Sequence, residues 1–316
     1  MQKIPVIAVV GATASGKTSL AVETAKRFDG EVVSADSMQI YKGMCIATAK
    51  PTPEEMQGIK HHLIDFLPVD EKYSVASFVR QAGEAIADIY SRGKLPVVCG
   101  GTGLYIDSLL GNMTYEDEPD NSGIRKTLEK RRDENGIEAI YNELAEIDPE
   151  YAVSLHIHNE GRIIRALETY YLTGEKPSVR RARAVSNESP YAPFYISIEY
   201  KNRENLYARI DTRVDRMLED GLVEEARGYY ALDKKSTASQ AIGYKELAGY
   251  FNGEISLEEA AENLKRATRR YAKRQLTWFR RNENIHRIYA DELPEGKSPA
   301  DAAADMLIAA GFIAKE

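Results

Sequence analysis

A glycine-rich segment near the start of the chain carries the residue types that bind phosphate. Residues 11–18 read GATASGKT and satisfy G-x-x-x-x-G-K-[ST], in which glycines let successive backbone N–H groups turn toward phosphate oxygens. We expect a diphosphate or triphosphate here, with Lys17 neutralising a phosphate and Thr18 ligating Mg²⁺; a glycine-rich turn that binds nothing is the alternative. The expected phosphate-binding residues are Gly11, Ala12, Thr13, Ala14, Ser15, Gly16, Lys17 and Thr18.

A carboxylate follows the second apolar run of the chain. Asp36 comes directly after residues 32–35, and the carboxyl end of such a strand faces the same crevice as a P-loop in a doubly wound sheet. Asp36 is therefore a candidate metal ligand or general base, and a capping residue before a turn is the alternative. The acid that an ATPase carries after its third strand is not found, because residues 95–99 lead into glycines.

Three other features have two readings each. The segment Gly100-Gly101-Thr102-Gly103 follows a strand, so close approach of a ligand and a tight turn without function are equally good interpretations. The arginine pairs 162/165 and 209/213 each lie about one helical turn apart, and bidentate arginine suits phosphate. For the first pair a solvated face is the more frequent role, and for the second pair salt bridges with neighbouring aspartates are equally plausible.

Composition and charge exclude several classes of protein. The 316 residues are 43% hydrophobic and 29% charged, as in ordinary globular proteins, and no apolar run is long enough for a membrane helix. The N-terminus carries no signal-peptide pattern, and the two cysteines form no CxxC pair. We therefore expect a cytoplasmic monomer with reduced, buried cysteines and neither zinc nor disulfides.

The charge is distributed unevenly along the chain. The 42 basic and 49 acidic residues give a net charge of -7, yet residues 262–287 contain nine basic and two acidic residues. This asymmetry predicts a polyanion-binding face on an acidic protein. The run 268–281 interleaves cations with aromatics, and we expect Trp278 and Phe279 to belong to the core rather than to stack on bases.

Alternating strands and helices must position these residues. The predicted strands are 4–10, 32–35, 95–99 and 194–199, and the clearest predicted helices are 18–28, 75–89 and 159–172, the last capped by Asn159 and stopped at Gly174. This alternation indicates an α/β fold with a P-loop NTPase-like parallel sheet flanked by helices. We expect three regions: a P-loop core at 1–113, a helical insertion at 114–190, and a return to the core at 191–316 that is helical after Leu206.

Taken together, eight segments resemble the tRNA dimethylallyltransferase (tRNA isopentenylpyrophosphate transferase) family. Their number and order over most of the chain carry the resemblance, more than any one of them does. They are GATASGKT (11–18), DSMQIYKGMCIATAKPT (36–52), HHLIDFLPVDEKYSVASF (61–78), GGTGLY (100–105), RIIRALETYYLTGEKP (162–177), RIDTRVDRMLEDGLVEEA (209–226), QAIGYKEL (240–247) and TRRYAKRQLTWFRR (268–281).

The resemblance implies transfer of a dimethylallyl group from dimethylallyl diphosphate to N6 of the adenine 3′-adjacent to the anticodon of tRNA, with release of pyrophosphate. The P-loop and Mg²⁺ then hold this diphosphate rather than ATP, and stabilise the charge that grows on the leaving group. Asp36 matches the general base of the family. Arg209 best matches the arginine that binds the pyrophosphate in the family, and Arg213 is the second candidate.

The resemblance also implies contacts with the tRNA anticodon stem-loop, which the helical insertion would clamp. The target adenine must leave its stack to reach a buried diphosphate. The residues that match tRNA-contacting parts of the family are Asp36, Ser37, Met38, Gln39, Thr102, Arg125, Gly161, Arg162, Ile163, Ile164, Arg165, Gln240, Ala241, Ile242, Gly243, Tyr244 and Lys245. Ala12, Ala47, Ile157 and Gly161 depart from the usual Pro, Gly, Pro and Arg.

Three other functions stay open at this point. A P-loop kinase acting on a small molecule would use Asp36 as its base, but an arginine-rich lid closely following the sheet is not evident. Prenyl transfer to a free adenine nucleotide would leave the insertion and the basic C-terminal helices without a role. An RNA-binding module with a relic P-loop would not need to retain Lys17, Thr18 and Asp36 together.

Overall fold

The structure is a computed structural model that describes residues 3–115, 122–184, 188–230 and 237–312, apart from the side chains of Ser122 and Gln240. The chain divides into two compact units. The first unit comprises Met1–Leu110 and Ser189–Glu316, and the second comprises Gly111–Glu188. No helix within the described ranges is both long and apolar enough to cross a membrane.

Strands and helices alternate through the first unit, and the second unit is helical. The strands are β1 (Ile4–Val10), β2 (Gly30–Ser34), β3 (His61–His62), β4 (Leu95–Gly100), β5 (Tyr191–Glu199) and β6 (Ile285–Tyr289). The helices are α1 (Lys17–Arg27), α2 (Pro53–Met56), α3 (Val75–Ser91), α4 (Gly103–Leu110), α5 (Ser122–Ile147), α6 (Pro149–Val153), α7 (Glu160–Thr173), α8 (Pro177–Ala184), α9 (Arg203–Glu219), α10 (Leu222–Tyr230), α11 (Ala248–Phe251), α12 (Leu257–Phe279) and α13 (Pro299–Ala309).

The sheet of the first unit is parallel throughout, in the order β3-β2-β4-β1-β5-β6. β1 lies between β4 and β5, which explains why its residues from Val6 to Val10 are all fully buried. Because parallel strands end at the same edge, the segments after β1, β2 and β4 meet there. These segments are the P-loop, the Asp36 turn and the glycine segment 100–103, so the predicted α/β class with a P-loop-type sheet is confirmed.

Apolar layers cover both faces of this sheet. On one face the buried residues of α3 and α4, such as Phe78 and Ile106, pack against Val98 and Val33. On the other face α1 and α13 bury Leu20 and Leu307 among others. The central strand β1 therefore reads as a continuous apolar run, which is typical of a sheet buried on both sides.

The prediction that the chain is helical throughout after Leu206 is wrong. β6 lies at an edge of the sheet and pairs with β5, with Tyr195 opposite Ile285. Ile285 and Ile288 are buried while His286 is exposed, so only two apolar residues mark this short strand in the sequence. β3 was also not predicted, because a strand of two residues, His61 and His62, carries no periodicity.

The second unit packs α5 and α7 around a core of its own. α5 breaks at Gly136, where φ is 81° and ψ is 163°. Leu128, Ile140 and Leu144 are among the residues that pack there with α7. α7 ends at Gly174 in the left-handed region, as the sequence predicts, but the preceding Asn159 side chain makes no capping hydrogen bond within the described residues.

Candidate active site

The P-loop joins β1 to α1 and presents the start of that helix to a cavity. Gly16 has a φ of 104°, a conformation that favours glycine, and among the described residues no side chain caps the first N–H groups of α1. These groups and the helix dipole are suited to an anion. Lys17 and Thr18 line the cavity, whereas Gly11 and Ala12 are buried and shape the loop from behind.

The Lys17 ammonium sits in a poorly solvated environment. Its Nζ donates a hydrogen bond to the Ala12 carbonyl at 2.7 Å. Desolvation lowers the pKa of Lys17, the charge of Arg213 adds to this lowering, and the Asp36 carboxylate opposes it. A cation held here interacts strongly with a nearby anion because little water screens it.

Asp36 follows β2 and its carboxylate is fixed on one side. Oδ1 accepts hydrogen bonds from the backbone N–H groups of Met38 at 2.9 Å and Gln39 at 3.3 Å. This arrangement is the capping role that the sequence left open. Asp36 nevertheless lines the same cavity as Lys17, so the other oxygen is available for chemistry.

The cavity has a volume of about 270 Å³. Its lining includes two sets of residues, and α12 contributes Thr268, Tyr271, Arg274 and Gln275. We call the first set the P-loop part of the lining: Thr13, Lys17, Thr18 and Arg213. We call the second set the two-turn part of the lining: Gln39, Ala47, Thr48, Ala49, Ala241, Ile242, Gly243 and Lys245. Asp36, Ser37 and Met38 belong to the same lining, as do the apolar side chains of Met217 and Leu222.

The structure distinguishes the two arginines of α9. Arg213 lines the cavity, and its Nη1 lies 3.5 Å from the Thr13 hydroxyl. Burial lowers the pKa of Arg213, while the charges of Glu55 and Asp36 favour the cation. Arg209 is exposed and outside the lining, and its Nε donates to the Ala14 carbonyl at 3.0 Å. The geometry thus places Arg213 inside the cavity and Arg209 on the outer surface of the P-loop.

A single carboxylate holds the two turns of the two-turn part together. Glu225 of α10 accepts hydrogen bonds from the N–H groups of Cys45, Ile46 and Ala47 at 2.8–2.9 Å. The Tyr244 hydroxyl donates to the same carboxylate at 2.9 Å. Nothing in the sequence distinguishes Glu225, because its partners are mostly backbone groups 178 to 180 residues away.

The Gln39 side chain is already used within its own part of the lining. Its Nε2 donates to the carbonyls of Thr48 at 3.3 Å and Ala49 at 3.1 Å. Its Oε1 accepts from the Ser34 hydroxyl at 3.4 Å. Gln39 therefore braces the turn that contains Ala47, and a direct contact with a ligand would require these bonds to rearrange.

The glycines after β4 make room for protein rather than for a ligand. A methyl group on Gly101 would overlap the Gln275 carboxamide, and one on Gly103 would overlap the Trp278 indole. Both partners belong to α12. Thr102, between the two glycines, accepts a hydrogen bond from the Ser37 N–H at 3.2 Å through its hydroxyl oxygen. The segment therefore joins α12 to the Asp36 turn.

The basic residues of α12 fall into two classes. Lys265 and Arg269 pair with aspartates of α9, at 2.7 Å to Asp215 and 2.6 Å to Asp211. Other cations are exposed and, within the described residues, lie farther than 4 Å from any carboxylate; these are Arg266, Arg270, Lys273, Arg274 and Arg280. Phe279 is 4% exposed and the Trp278 Nε1 donates to Asp107 at 2.8 Å, so both aromatics belong to the packing as predicted.

The second unit contains the predicted tRNA residues of α5 and α7. Ile163 and Ile164 are fully buried in its core, so their side chains are not available for the contact with tRNA that the resemblance implied. Arg125 and Arg165 both bond to the buried Glu168, at 3.4 and 2.8 Å. Gly161 and Arg162 are exposed.

Three further predictions concern the cysteines, a metal site and Gln240. Both cysteines are free, but Cys45 is exposed and Cys99 only partly buried, so the prediction of buried cysteines is wrong for Cys45. The described residues contain no cluster of three His, Cys, Asp or Glu that would hold a metal on its own. The side chain of Gln240 lies outside what the structure describes.

Comparison with known proteins places the chain in a family. Residues 39–282 match the family described as IPP transferase. A tRNA dimethylallyltransferase from Caldanaerobacter subterraneus is 48% identical over 92% of this chain and 93% of its own length. A solved tRNA isopentenylpyrophosphate transferase from Staphylococcus epidermidis is 41% identical, with a TM-score of 0.70 over 98% of this chain and 99% of that one.

A solved eukaryotic dimethylallyltransferase acting on tRNA is also similar. It is 30% identical, with a TM-score of 0.80 over 99% of this chain and 81% of that one. The family description covers well over half of the residues, and the relatives match along nearly their whole length. The chain therefore belongs to the IPP transferase family.

Proposed function

We propose that this enzyme transfers a dimethylallyl group from dimethylallyl diphosphate to N6 of the adenine that is 3′-adjacent to the anticodon of tRNA, and releases pyrophosphate. One observation carries the proposal. A single cavity brings a P-loop cation and helix N-terminus together with a carboxylate that stands after the next strand. In one displacement reaction, Lys17 then acts on the leaving group and Asp36 on the attacking amine.

The P-loop part of the lining holds the diphosphate. The free N–H groups at the start of α1 and the Lys17 ammonium surround its oxygens, and Arg213 adds a second cation from α9. Arg213 is the better candidate than Arg209 because only Arg213 lines the cavity. Arg209 supports the loop through the Ala14 carbonyl instead. This reverses the order of the two arginines that the family resemblance implied.

The residues present fit Mg²⁺ as a partner of the diphosphate. The described residues offer no all-protein cage, but Mg²⁺ is usually held by one or two protein oxygens together with substrate phosphates. The Thr18 hydroxyl lines the cavity and provides such an oxygen. When bound, Mg²⁺ would neutralise charge on the departing pyrophosphate.

The reaction separates charge, and the cavity is arranged to accept it. As the allylic C–O bond breaks, negative charge grows on the pyrophosphate, where Lys17, Arg213 and the N–H groups of α1 stabilise it. The N6 nitrogen forms the new C–N bond and loses its proton to the free oxygen of Asp36. The amine is a weak nucleophile, so the fixed orientation of Asp36 through the Met38 and Gln39 N–H groups is important for the rate.

The two-turn part of the lining receives the adenine. Its apolar neighbours Met38, Met217 and Leu222 suit both a purine face and a dimethylallyl group. Outside the cavity, the exposed cations of α12, including Arg270 and Lys273, suit an RNA backbone. In the second unit, Arg162 of α7 is exposed and serves the same purpose, whereas Arg165, also exposed, is paired with Glu168.

The test is a single assay with three arms. Purified protein, Mg²⁺ and radiolabelled dimethylallyl diphosphate are incubated with unmodified tRNA, with AMP, or with ATP and a small acceptor, and the products are identified by nucleoside analysis. Label on N6 of the adenine beside the anticodon, lost when EDTA is added, is the expected result. Label on AMP alone, or ATP turnover without prenylation, would replace the proposal with one of the alternative enzymes. We expect the active species to elute as a monomer in gel filtration.

A further inference from the structure

We propose that Gln275 is a positioning residue that fixes the separation between the P-loop and the glycine segment 100–103, and that this separation directs the dimethylallyl group to adenine rather than to water. The inference deepens the proposed function and rests on it. Gln275 belongs to α12, far from both loops in the sequence.

The Gln275 carboxamide is divided between the two loops. Its Oε1 accepts a hydrogen bond from the Thr13 N–H at 2.8 Å, and its Nε2 donates to the Gly101 carbonyl at 3.0 Å. The side chain is 5% exposed, so water does not compete for these bonds. One rigid planar group thus spans from the diphosphate-binding loop to the segment after β4.

Packing holds this group in place from the side of α12. A methyl group on Gly101 would overlap the Gln275 carboxamide, which means that the loop and the side chain are in close contact. Trp278, about one helical turn further along α12, occupies the corresponding space over Gly103 and is anchored to Asp107. The loops therefore cannot shift relative to one another without displacing Gln275.

The spacing matters because the two loops control different partners of the reaction. Thr13 lies in the loop that holds the leaving group, whereas Gly101 precedes Thr102, whose hydroxyl accepts from the Ser37 N–H next to Asp36. Together with the pairing of β1 and β2 with β4, Gln275 consequently sets the distance between the diphosphate and the base. Misplacement of reacting groups by about 1 Å can cost on the order of 100-fold in rate.

A loosened spacing has a specific chemical outcome. The allylic C–O bond can still break, because Lys17 and Arg213 remain with the diphosphate. If the adenine nitrogen is out of reach, a water oxygen forms the new bond to the allylic carbon and releases one proton to solvent. The products are then dimethylallyl alcohol and pyrophosphate, and each such event adds pyrophosphate without prenylated adenosine.

The experiment measures both products in the presence of tRNA. The wild-type enzyme is expected to release one pyrophosphate for each prenylated adenosine. Gln275→Glu keeps the acceptor for Thr13 and loses the donor to Gly101, and Gln275→Ala loses both. We expect prenylation to fall about tenfold or more in both variants, and the ratio of pyrophosphate to prenylated adenosine to rise roughly twofold or more.

Matched controls use the same substitutions at another glutamine. Gln81 of α3 is partly buried, accepts one hydrogen bond from the Tyr73 hydroxyl at 2.9 Å, and is not part of the lining. Gln81→Glu and Gln81→Ala should keep the ratio of products at one. A variant that folds less completely yields less of both products in proportion, so loss of folded protein does not move this ratio.

A second perturbation approaches the same contact from the other side. Gly101→Ala should displace the carboxamide and raise the product ratio in the wild-type background. In the Gln275→Ala background the carboxamide no longer opposes the new methyl group, whose remaining close neighbour is the Gly11 carbonyl oxygen at 3.3 Å, so the second substitution should add much less than in the wild type. This non-additivity identifies the contact between the two residues as the source of the effect.

The outcomes separate this inference from the proposed function. If wild-type protein does not prenylate tRNA, the proposed function fails. If it does so with a product ratio of one, and the variants at Gln275 and Gly101 also keep that ratio, Gln275 has a structural role only and the inference is overturned.

Discussion

The two parts of the cavity lining are built in different ways. Most of the P-loop part comes from one continuous segment, in which the conformation of Gly16 and the start of α1 create the anion site locally. The two-turn part is assembled from the segments 39–49 and 241–245, held together by Glu225 of a third segment.

This difference separates the residues that bind the diphosphate from the residues that select the acceptor. A local loop that recognises phosphate is compatible with many reactions, because its N–H groups carry no information about the rest of the ligand. The acceptor is defined by the part that depends on tertiary contacts. Substitutions in the two parts should therefore affect different kinetic constants.

The largest effect is expected from Lys17→Met in the P-loop part. Loss of the only ammonium in that part leaves the leaving group with less stabilisation as its charge grows, so kcat/KM for dimethylallyl diphosphate should fall about 10³-fold. Affinity for tRNA, measured by filter binding, should stay within roughly twofold of the wild type. A parallel loss of tRNA affinity would show that the two parts are not separable.

Asp36→Asn should lower kcat about 100-fold or more with little change in tRNA affinity. The asparagine oxygen still accepts from the Met38 and Gln39 N–H groups, so the turn is preserved while the base is removed. Single-turnover prenylation rates and tRNA binding curves measure the two properties. An unchanged rate would remove Asp36 from the mechanism.

The paired variants Arg213→Ala and Arg209→Ala sharpen the assignment within the P-loop part. Arg213→Ala removes the arginine that lines the cavity and should raise the KM for dimethylallyl diphosphate roughly 10- to 100-fold. Arg209→Ala removes the exposed arginine and should raise the same KM less than about fivefold. Steady-state kinetics on both variants decide the order. Equal effects would mean that Arg209 also reaches the diphosphate.

Glu225→Gln tests the two-turn part. A carboxamide cannot accept with both of its heavy atoms, so one group of N–H donors is left unpaired and the turns lose their register. KM for tRNA should rise about tenfold while KM for dimethylallyl diphosphate stays constant. The exposed neighbour Glu224, changed to Gln in the same way, is the control and should leave both constants unchanged.

Glu31→Gln is expected to have the smallest effect on either kinetic constant. Glu31 is buried at the start of β2, where hydrogen bonds from Arg92 lower its pKa to about 2 and a bond from His62 contributes. Because the pKa in the folded state is depressed, this stabilisation is present above about pH 4.5 and is lost as the pH falls toward 2.

The variant should therefore lose about 3 kcal/mol of unfolding free energy at pH 7, and the difference from the wild type should shrink below pH 4.5. Urea denaturation at several pH values measures this loss. We expect this loss of stability to leave the KM for tRNA and the KM for dimethylallyl diphosphate unchanged. A rise in only one of them would contradict the prediction.

The sequence could predict what is encoded locally. Strands β1, β2, β4 and β5 and the P-loop were predicted because apolar runs and the glycine pattern are complete within a few residues. Arg209 and Arg213, one turn apart on α9, cannot be ranked by spacing. Only the packing of α9 against the P-loop shows that Arg213 is inside.

Long-range contacts explain most of what the sequence did not predict. Glu225 and Gln275 bind backbone groups, which every residue has, so no side-chain pattern announces the pairing. From the sequence alone, the glycines at 101 and 103 indicate either room for a ligand or a simple turn. Their reason is the volume of two side chains on a helix more than 170 residues later in the chain.

The separation of 262 residues between Thr13 and Gln275 has a consequence for folding during translation. At a synthesis rate of about 5–20 residues per second, roughly 13 to 52 s pass between the translation of the two residues. During that interval the nascent P-loop has no partner for its Thr13 N–H from α12. An unfinished chain therefore lacks the contact that directs the dimethylallyl group to adenine, and prenyl transfer without loss to water begins only when α12 has joined the fold.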